Sequence, residues 1–256
     1  MSRLSMTRTA LLMAAGLTCM VALHAAVPRN IAAAVDDASR PAQDRQRDVV
    51  RKPGETLAFA GIRPGQLVVE LIPGGGYYTR ILSRLVGPKG RVYAIVPAPR
   101  ADAPADAPDR TAPLRALAAD GSHGNIDVLV QPIQKLAPPG KVDVVWTSLN
   151  YHDVHNVPNI DIAAFNRAMF DALQPGGLYI VIDHAAAAGA PADVTSKLHR
   201  VDADVVKREV TAVGFQFVAE SPLLANPQDP RTASVFDPSI RGKTAQFILK
   251  FRKPRR

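Results

Sequence analysis

The stretch VVELIPGGGYYTRIL, residues 68–82, decides the fold. Its first half belongs to LVVELI (67–72), a short β-branched apolar run suited to a strand buried on both faces. Its second half opens YYTRILSRLVG (77–87), where Tyr78, Ile81, Leu82 and Leu85 recur at helical spacing. Between them stand Pro73, Gly74, Gly75 and Gly76. A strand that passes into a helix through residues lacking Cβ can turn sharply and let a ligand approach its backbone. The start of that helix, near Tyr77–Thr79, then offers free N–H groups and the positive end of the helix dipole to a carboxylate or phosphate.

Working outward, RVYAIV (91–96), IDVLV (126–130), VDVVWTSL (142–149) and LYIVIDH (178–184) read as four more strands. Helical patterns separate or follow them at LRALAADG (114–121), DIAAFNRAMFDALQPGG (161–177) and DADVVKREVTAVGF (202–215), the last with Asp202 as N-cap and Gly214 as stop. Upstream, in KPGETLAFAGIRPGQ (52–66), Pro53 opens a helix and Gly61 ends it. FQFVAES (215–221) and TAQFILKF (244–251) alternate with period two, so the sheet is expected to finish with an antiparallel pair. The proline-, alanine- and aspartate-rich run at 97–113 is expected to be a mobile loop. Strand–helix alternation of this kind predicts an open, mostly parallel α/β sheet in one domain. Ligands of such sheets bind beyond the carboxyl ends of the strands, where strand order reverses.

The 256 residues carry a formal charge of +8, with much of the excess in KFRKPRR (250–256), expected to be a frayed, solvated end. No basic stripe interleaved with aromatics occurs elsewhere, so nucleic acid is not expected as a partner. The N-terminus has Arg3 and Arg8, the apolar run ALLMAAGLTCMVAL (10–23), then Ala25 and Ala26. These are the parts of a secretory signal peptide, with an apolar core too short to span a bilayer. Residues 1–26 are therefore expected to be a cleaved signal, with Ala32 and Ala34 as an alternative exit. Residues 27–47 are expected to form a spacer passing into a short helix, and 48–254 the domain. The mature chain is expected to be periplasmic or secreted, with no stable membrane span. The single cysteine, Cys19, lies inside the signal, which leaves no disulfide, thiolate zinc site or cysteine nucleophile afterwards.

Several chemistries drop out on spacing. A dinucleotide fingerprint beginning at Gly74 needs a glycine where Thr79 stands, and AIVPAPR (94–100) has no acid to grip a ribose. No G-x-S-x-G elbow occurs, and no G-K-[ST] closes the glycine turn, which argues against a serine hydrolase or a nucleoside triphosphatase.

VVELIPGGGYYTRIL, YHDVH (151–155) and LQPGGLYIVIDH (173–184) together resemble a class I S-adenosylmethionine-dependent methyltransferase. More narrowly, the segments 47–79, 198–215 and 234–254 resemble a group of exported bacterial proteins called predicted methyltransferases, over nearly all of residues 44–254. The resemblance implies a Rossmann-like α/β fold, a mostly parallel seven-stranded sheet with a C-terminal antiparallel pair, and S-adenosylmethionine as cofactor. It places Glu70 at the acidic position that orders the glycine turn, and Gly74 and Gly76 against the methionine part. Ile72 stands where the family has its first glycine, and Val96 and Pro97 where it has an acid for the ribose hydroxyls. Gln131 and Gln134 stand where an aspartate often meets the adenine amino group. The expected cofactor-binding set is Glu70, Pro73, Gly74, Gly75, Gly76, Tyr78 and Gln131.

SLNYHDVHN (148–156) brings polar side chains to the edge where an acceptor would sit. His152 is the candidate base, and Tyr151 and Asn150 are candidates to orient the acceptor. His152, Asp153, His155, Asp183 and His184 include nitrogen and oxygen donors, but their spacing matches no ligand motif, and no metal is expected. His199 and Arg200 are expected at the cleft or its rim. Two functions stay open: methyl transfer from S-adenosylmethionine to an unidentified acceptor, or a non-catalytic exported module that keeps the cleft for another small molecule.

Overall fold

The computed structural model describes residues 26–99, 104 and 106–255. The expected signal peptide therefore lies, but for Ala26, outside the described residues. Among the described residues no helix is long and apolar enough to cross a membrane.

Seven strands form one sheet: β1 (Leu67–Leu71), β2 (Arg91–Pro97), β3 (Ile126–Gln131), β4 (Val142–Ser148), β5 (Leu173–His184), β6 (Gln216–Ser221) and β7 (Gln246–Arg252). Their order is β3-β2-β1-β4-β5-β7-β6, with β3 through β5 parallel and β7 antiparallel to both neighbours. The sheet is thus mostly parallel with an antiparallel C-terminal pair, as expected. Its central strands are apolar on both faces because both faces are covered. Along β1, Val68 joins one core while Val69 and Leu71 join the other.

The first core is closed by α1 (Arg29–Val35), α3 (Pro53–Ala60), α4 (Tyr77–Val86) and α5 (Ala112–Ala119), with α2 (Ala42–Arg51) lying beside α4. The second is closed by α6 (Tyr151–His155), α7 (Ile162–Ala172) and α9 (Ala203–Ala212); α8 (Val194–Leu198) lies next to α6. Capping follows the sequence signals: Pro53 starts α3, Gly61 ends it at φ 78°, and the Asp202 side chain accepts from Asp204 N at the start of α9.

Four expectations need correction. Residues 27–47, expected as a spacer passing into a short helix, hold α1 and the start of α2 and pack on the domain: Ile31 and Ala34 of α1 are buried in the first core, and Asp44 of α2 is buried against Arg80 of α4. The helix expected to be closed by Pro175, Gly176 and Gly177 stops at Ala172, because those residues belong to β5, which starts at Leu173 and pairs with β4 with a bulge between Val142 and Val144. A Cβ on Gly177 would lie 3.1 Å from Asp143 O, so the strands need glycine to approach this closely. The basic C-terminus is anchored up to Lys253, whose ammonium donates to Phe170 O and Leu173 O, while Lys250 sits 4.5 Å over the Phe59 ring. Finally, the end of the 97–113 loop is held by the Asp109 carboxylate, which caps Thr111 and leads into α5.

Candidate functional site

The chain leaves β1 towards β2 on one side and returns as β4 on the other, so the carboxyl ends of β1 and β4 part at a switch in strand order. The VVELIPGGG turn sits on that switch. A cavity of ≈ 230 Å³ opens there, floored by Glu70–Gly75 from β1 and its turn and walled by Ser148–Asn150 beyond β4. Tyr77, Tyr78, Arg47 and Arg51 complete it. A second cavity of ≈ 290 Å³ shares Ile72–Gly75 and extends past the end of β2, along Val96, Pro97, Asp109, Arg110 and Pro113. The glycine turn is the wall between the two.

Its backbone explains the glycines. Gly74 and Gly76 adopt φ 58° and 84°, in the left-handed region, and Gly76 caps α4. Gly75 needs no such freedom, but a Cβ built on it meets nothing within 4 Å, so its face of the turn is open. Ile72 and Leu149, one from each strand end, also have positive φ, 50° and 61°. Left-handed backbone in a β-branched residue is strained, and such strain collects at binding sites. The Asn150 amide ties the two ends together, donating to Ser148 O at 2.8 Å and Ile72 O at 3.2 Å.

Glu70 points to the α3–α4 side, 3% exposed, and its Oε2 has no hydrogen-bond partner. Burial pushes its carboxyl up to about 8, although Thr79, Arg51 and Arg80 pull the other way. Thr79 Oγ1 is itself buried and unpaired. Above them is a shelf of cations on aromatic faces: Arg51 lies 4.5 Å from the Tyr77 ring centroid and 5.8 Å from that of Tyr78. The Tyr77 hydroxyl donates to Asp48 at 2.6 Å, and Arg40 grips the same carboxylate through both its terminal nitrogens. Tyr78 packs edge-on to Tyr77 and against Trp146.

The remaining expected residues are dispersed. Gln131 closes its own loop, donating to Ala137 O and accepting from Ala137 N, and is not part of either cavity. Gly76 does not line the cavity, and a Cβ on it would meet Arg80 at 3.2 Å and Leu114 and Leu117 of α5 at 3.4 Å. Tyr151 is wholly buried in the second core, its hydroxyl bonded to Glu209 at 2.9 Å and to the Asn166 amide, so it cannot orient an acceptor. His152, 3% exposed, is clasped by two carboxylates: Nδ1 is 2.7 Å from Asp183 and Nε2 is 3.3 Å from Asp153. Burial works against the cation, but these two partners outweigh it and raise the imidazole to about 10. A base must arrive unprotonated, so His152 does not suit the role expected of it. His184 is the opposite case: burial lowers it to about 4. Arg200 is fully buried in a paired contact with Asp229 at 2.8 Å, a structural link rather than a rim cation.

Arg47, Arg51 and Asp109 are cavity residues that sequence did not single out. Their signal is three-dimensional: Arg47 ends the expected spacer, Arg51 lies at the start of the expected domain, and Asp109 lies in the 97–113 loop.

No family model matches the chain. Over 134 residues it is 30% identical to the ubiquinone/menaquinone biosynthesis C-methyltransferase UbiE of Pseudomonas paraeruginosa. The matched stretch is 50% of this chain and 45% of that relative, so the chain is aligned to less than half of it. Among solved structures, an S-adenosylmethionine-dependent methyltransferase from Aquifex aeolicus superposes with a TM-score of 0.58 at 18% identity, covering 83% of this chain and 98% of that one. The glycopeptide N-methyltransferase MtfA, solved with S-adenosylmethionine, superposes at 0.54 and 14% identity over 78% and 86%. The chain thus has the Rossmann-like fold of the class I methyltransferases.

Proposed function

We propose that this chain binds S-adenosylmethionine on its glycine turn and transfers the methyl group to an acceptor still to be identified. The observation that carries the reading is the unpaired Glu70 Oε2, buried beside an open glycine turn at the strand-order switch. A buried polar atom without a partner costs free energy, and a ligand that brings a cation removes the cost. The fit extends to the rest of the cavity. Arg47 and Arg51 offer guanidinium groups to the ligand's carboxylate, and Gly74 and Gly75 leave its chain room to lie on the backbone. The second cavity, apolar at Val96 and Pro97, would take the adenosine, with Asp109 the one acid among its lining residues.

The bound sulfonium supplies an electrophilic methyl group. The chain's own contribution would be alignment: Tyr78, Leu149 and Asn150 line the same cavity as Gly74 and would limit the directions from which an acceptor could approach. No base is assigned, because both ring nitrogens of His152 are engaged by carboxylates, and the reading favours acceptors that are already nucleophilic at neutral pH. The reading extends to export: residues 1–26 act as a signal, the chain works outside the cytoplasm with the exported predicted methyltransferases it resembles, and S-adenosylmethionine must reach it there.

Calorimetric titration of the protein with S-adenosylmethionine and S-adenosylhomocysteine is the test. Saturable binding tighter than about 0.1 mM, roughly −5.5 kcal/mol, supports the reading. Gly75→Asp should fold normally, because its side chain has space, yet abolish binding by filling the cavity with a negative charge. A folded protein that gives no heat with either ligand, or a Gly75→Asp variant that binds like wild type, overturns it.

A further inference from the structure

We propose that His152, Asp153 and His199 bind one divalent first-row transition ion such as Zn(II). This is the one group of three or more His, Cys, Asp or Glu residues among the described residues whose donor atoms converge so closely, all within 4.8 Å of one another. It differs from the donors that sequence brings together: His155 turns to Glu209, and His184 Nδ1 to the Thr244 hydroxyl. His199, 46 positions further along the chain than Asp153, takes their place.

Three observations point to an ion rather than to a plain ion pair. His152 Nε2 and His199 Nδ1 stand 3.3 Å and 3.4 Å from the same Asp153 oxygen. Two donors on a shared ion at about 2.1 Å, with a tetrahedral angle between them, stand about 3.4 Å apart. A charge-assisted hydrogen bond would be shorter, about 2.8 Å, as the 2.7 Å contact of His152 Nδ1 with Asp183 is. That second contact is itself informative. Asp183 is fully buried, also accepts from His152 N and His184 N, and so fixes the imidazole with Nε2 aimed at Asp153 and His199. A carboxylate behind a histidine is the usual support of a metal ligand. Third, His199 ends α8 with φ 55°, where glycine or asparagine is the usual residue. A histidine in that backbone is strained, which is explained if its ring is needed where the strain puts it.

The donor set decides the ion. Two imidazoles and one carboxylate suit zinc, iron, nickel or copper rather than calcium or magnesium. The side chains of Asp153 and His199 remain 51% and 30% exposed, which gives an ion a way in and leaves a coordination position facing water.

The inference stands apart from methyl transfer: a chain that binds S-adenosylmethionine but no metal keeps that reading and loses this one. The test uses untagged, chelator-stripped protein titrated with Zn(II) by calorimetry and with Co(II) by visible absorption. One equivalent of Zn(II) with a Kd of about 1 μM or tighter is expected, with release of the proton that the ion displaces from His152. His199→Ala and Asp153→Asn should each weaken it at least about 10-fold, and Asp183→Asn by about 10-fold. Co(II) should give the intense bands of a four- or five-coordinate site, lost in His199→Ala, whereas His155→Ala leaves them unchanged. The absence of saturable binding overturns the proposal, as does a His199→Ala variant that binds like wild type or a loss of the bands in His155→Ala.

Discussion

A carboxylic acid that is 3% exposed, with one oxygen unpaired, stays protonated until a cation reaches it. For Glu70 this has a sign that can be worked out. Its carboxyl titrates at about 8 in the folded chain and near its ordinary value of 4.5 when unfolded. Below pH 4.5 both states hold the proton, and the stabilising contribution is complete. Between 4.5 and about 8 only the unfolded state releases it, so the contribution is lost as pH rises. The wild type should therefore lose stability relative to Glu70→Gln by a few kcal/mol, up to about 5, between pH 4 and pH 9. Urea denaturation of both proteins across that range measures it, and parallel curves would show that Glu70 is ionised throughout. Ile72 permits a second comparison. Ala and Gly both delete its side chain, but only Gly relieves the left-handed backbone at φ 50°. Glycine ordinarily costs about 0.5–1 kcal/mol against alanine within regular structure. Here Ile72→Gly should be the more stable of the two by about 1 kcal/mol, and equal midpoints would mean the turn relaxes around alanine.

At the scale of elements, the end of β5 depends on a link that no local pattern announces. Arg200, just after α8, donates to both oxygens of Asp229 and to the carbonyls of Ala185 and Ala233, while Asp229 also accepts from Ala245 N. The pair pins the long connection between β6 and β7 to the strand that carries Asp183. Removing one partner leaves an uncompensated buried charge, so Asp229→Leu should cost about 3–5 kcal/mol, whereas Arg200→Met with Asp229→Leu should recover most of it. A double variant no better than the single one would mean that the bonds to backbone, not the charges, carry the link. This difference also explains what was legible. Strand–helix alternation showed the parallel strands, the helices between them and the antiparallel ending, because each of these signals is local and periodic. The start of β5 was missed because Pro175 and two glycines read as helix punctuation, while pairing with β4 through a bulge keeps the chain extended. Of the residues that line the cavity, Gly74 and Gly75 were legible from the strand–turn–helix pattern, and Glu70 through the resemblance. Tyr151 and Gln131 were misplaced because sequence gives their position along the chain but not which side of the sheet their side chains serve. Arg51 and His199 come to their clusters from elements remote in sequence; nothing local marks Arg51, and His199 was expected only at the cleft or its rim, not beside Asp153.

For the molecule as a whole, the open question is where the domain begins. Its boundary was expected at residue 48, yet the segment before it is tied down along its length. Ile31 and Ala34 sit in the first core, Asp37 pairs with Arg84, Arg40 with Asp48, and Asp44 with Arg80. The last two contacts also steady α2, which brings Arg47 and Arg51 to the cavity, so the segment bears on the site as well as on the fold. Burying a side chain the size of Ile31 contributes about 1.5–3 kcal/mol, and breaking the buried contacts of Arg40 and Asp44 adds more. A chain that starts at residue 48 should thus be less stable than one that starts at residue 27 by at least about 3 kcal/mol. For a domain of this size that lowers Tm by roughly 6–12 °C. It should also bind S-adenosylmethionine more weakly, because Arg47 is lost and Arg51 is no longer held. Calorimetric melting of the two chains, each with and without ligand, separates the effects. A lower Tm with a smaller ligand-induced rise is the expected result. If the two chains melt and respond alike, residues 27–47 are a spacer after all, and the cations over Tyr77 contribute nothing to binding.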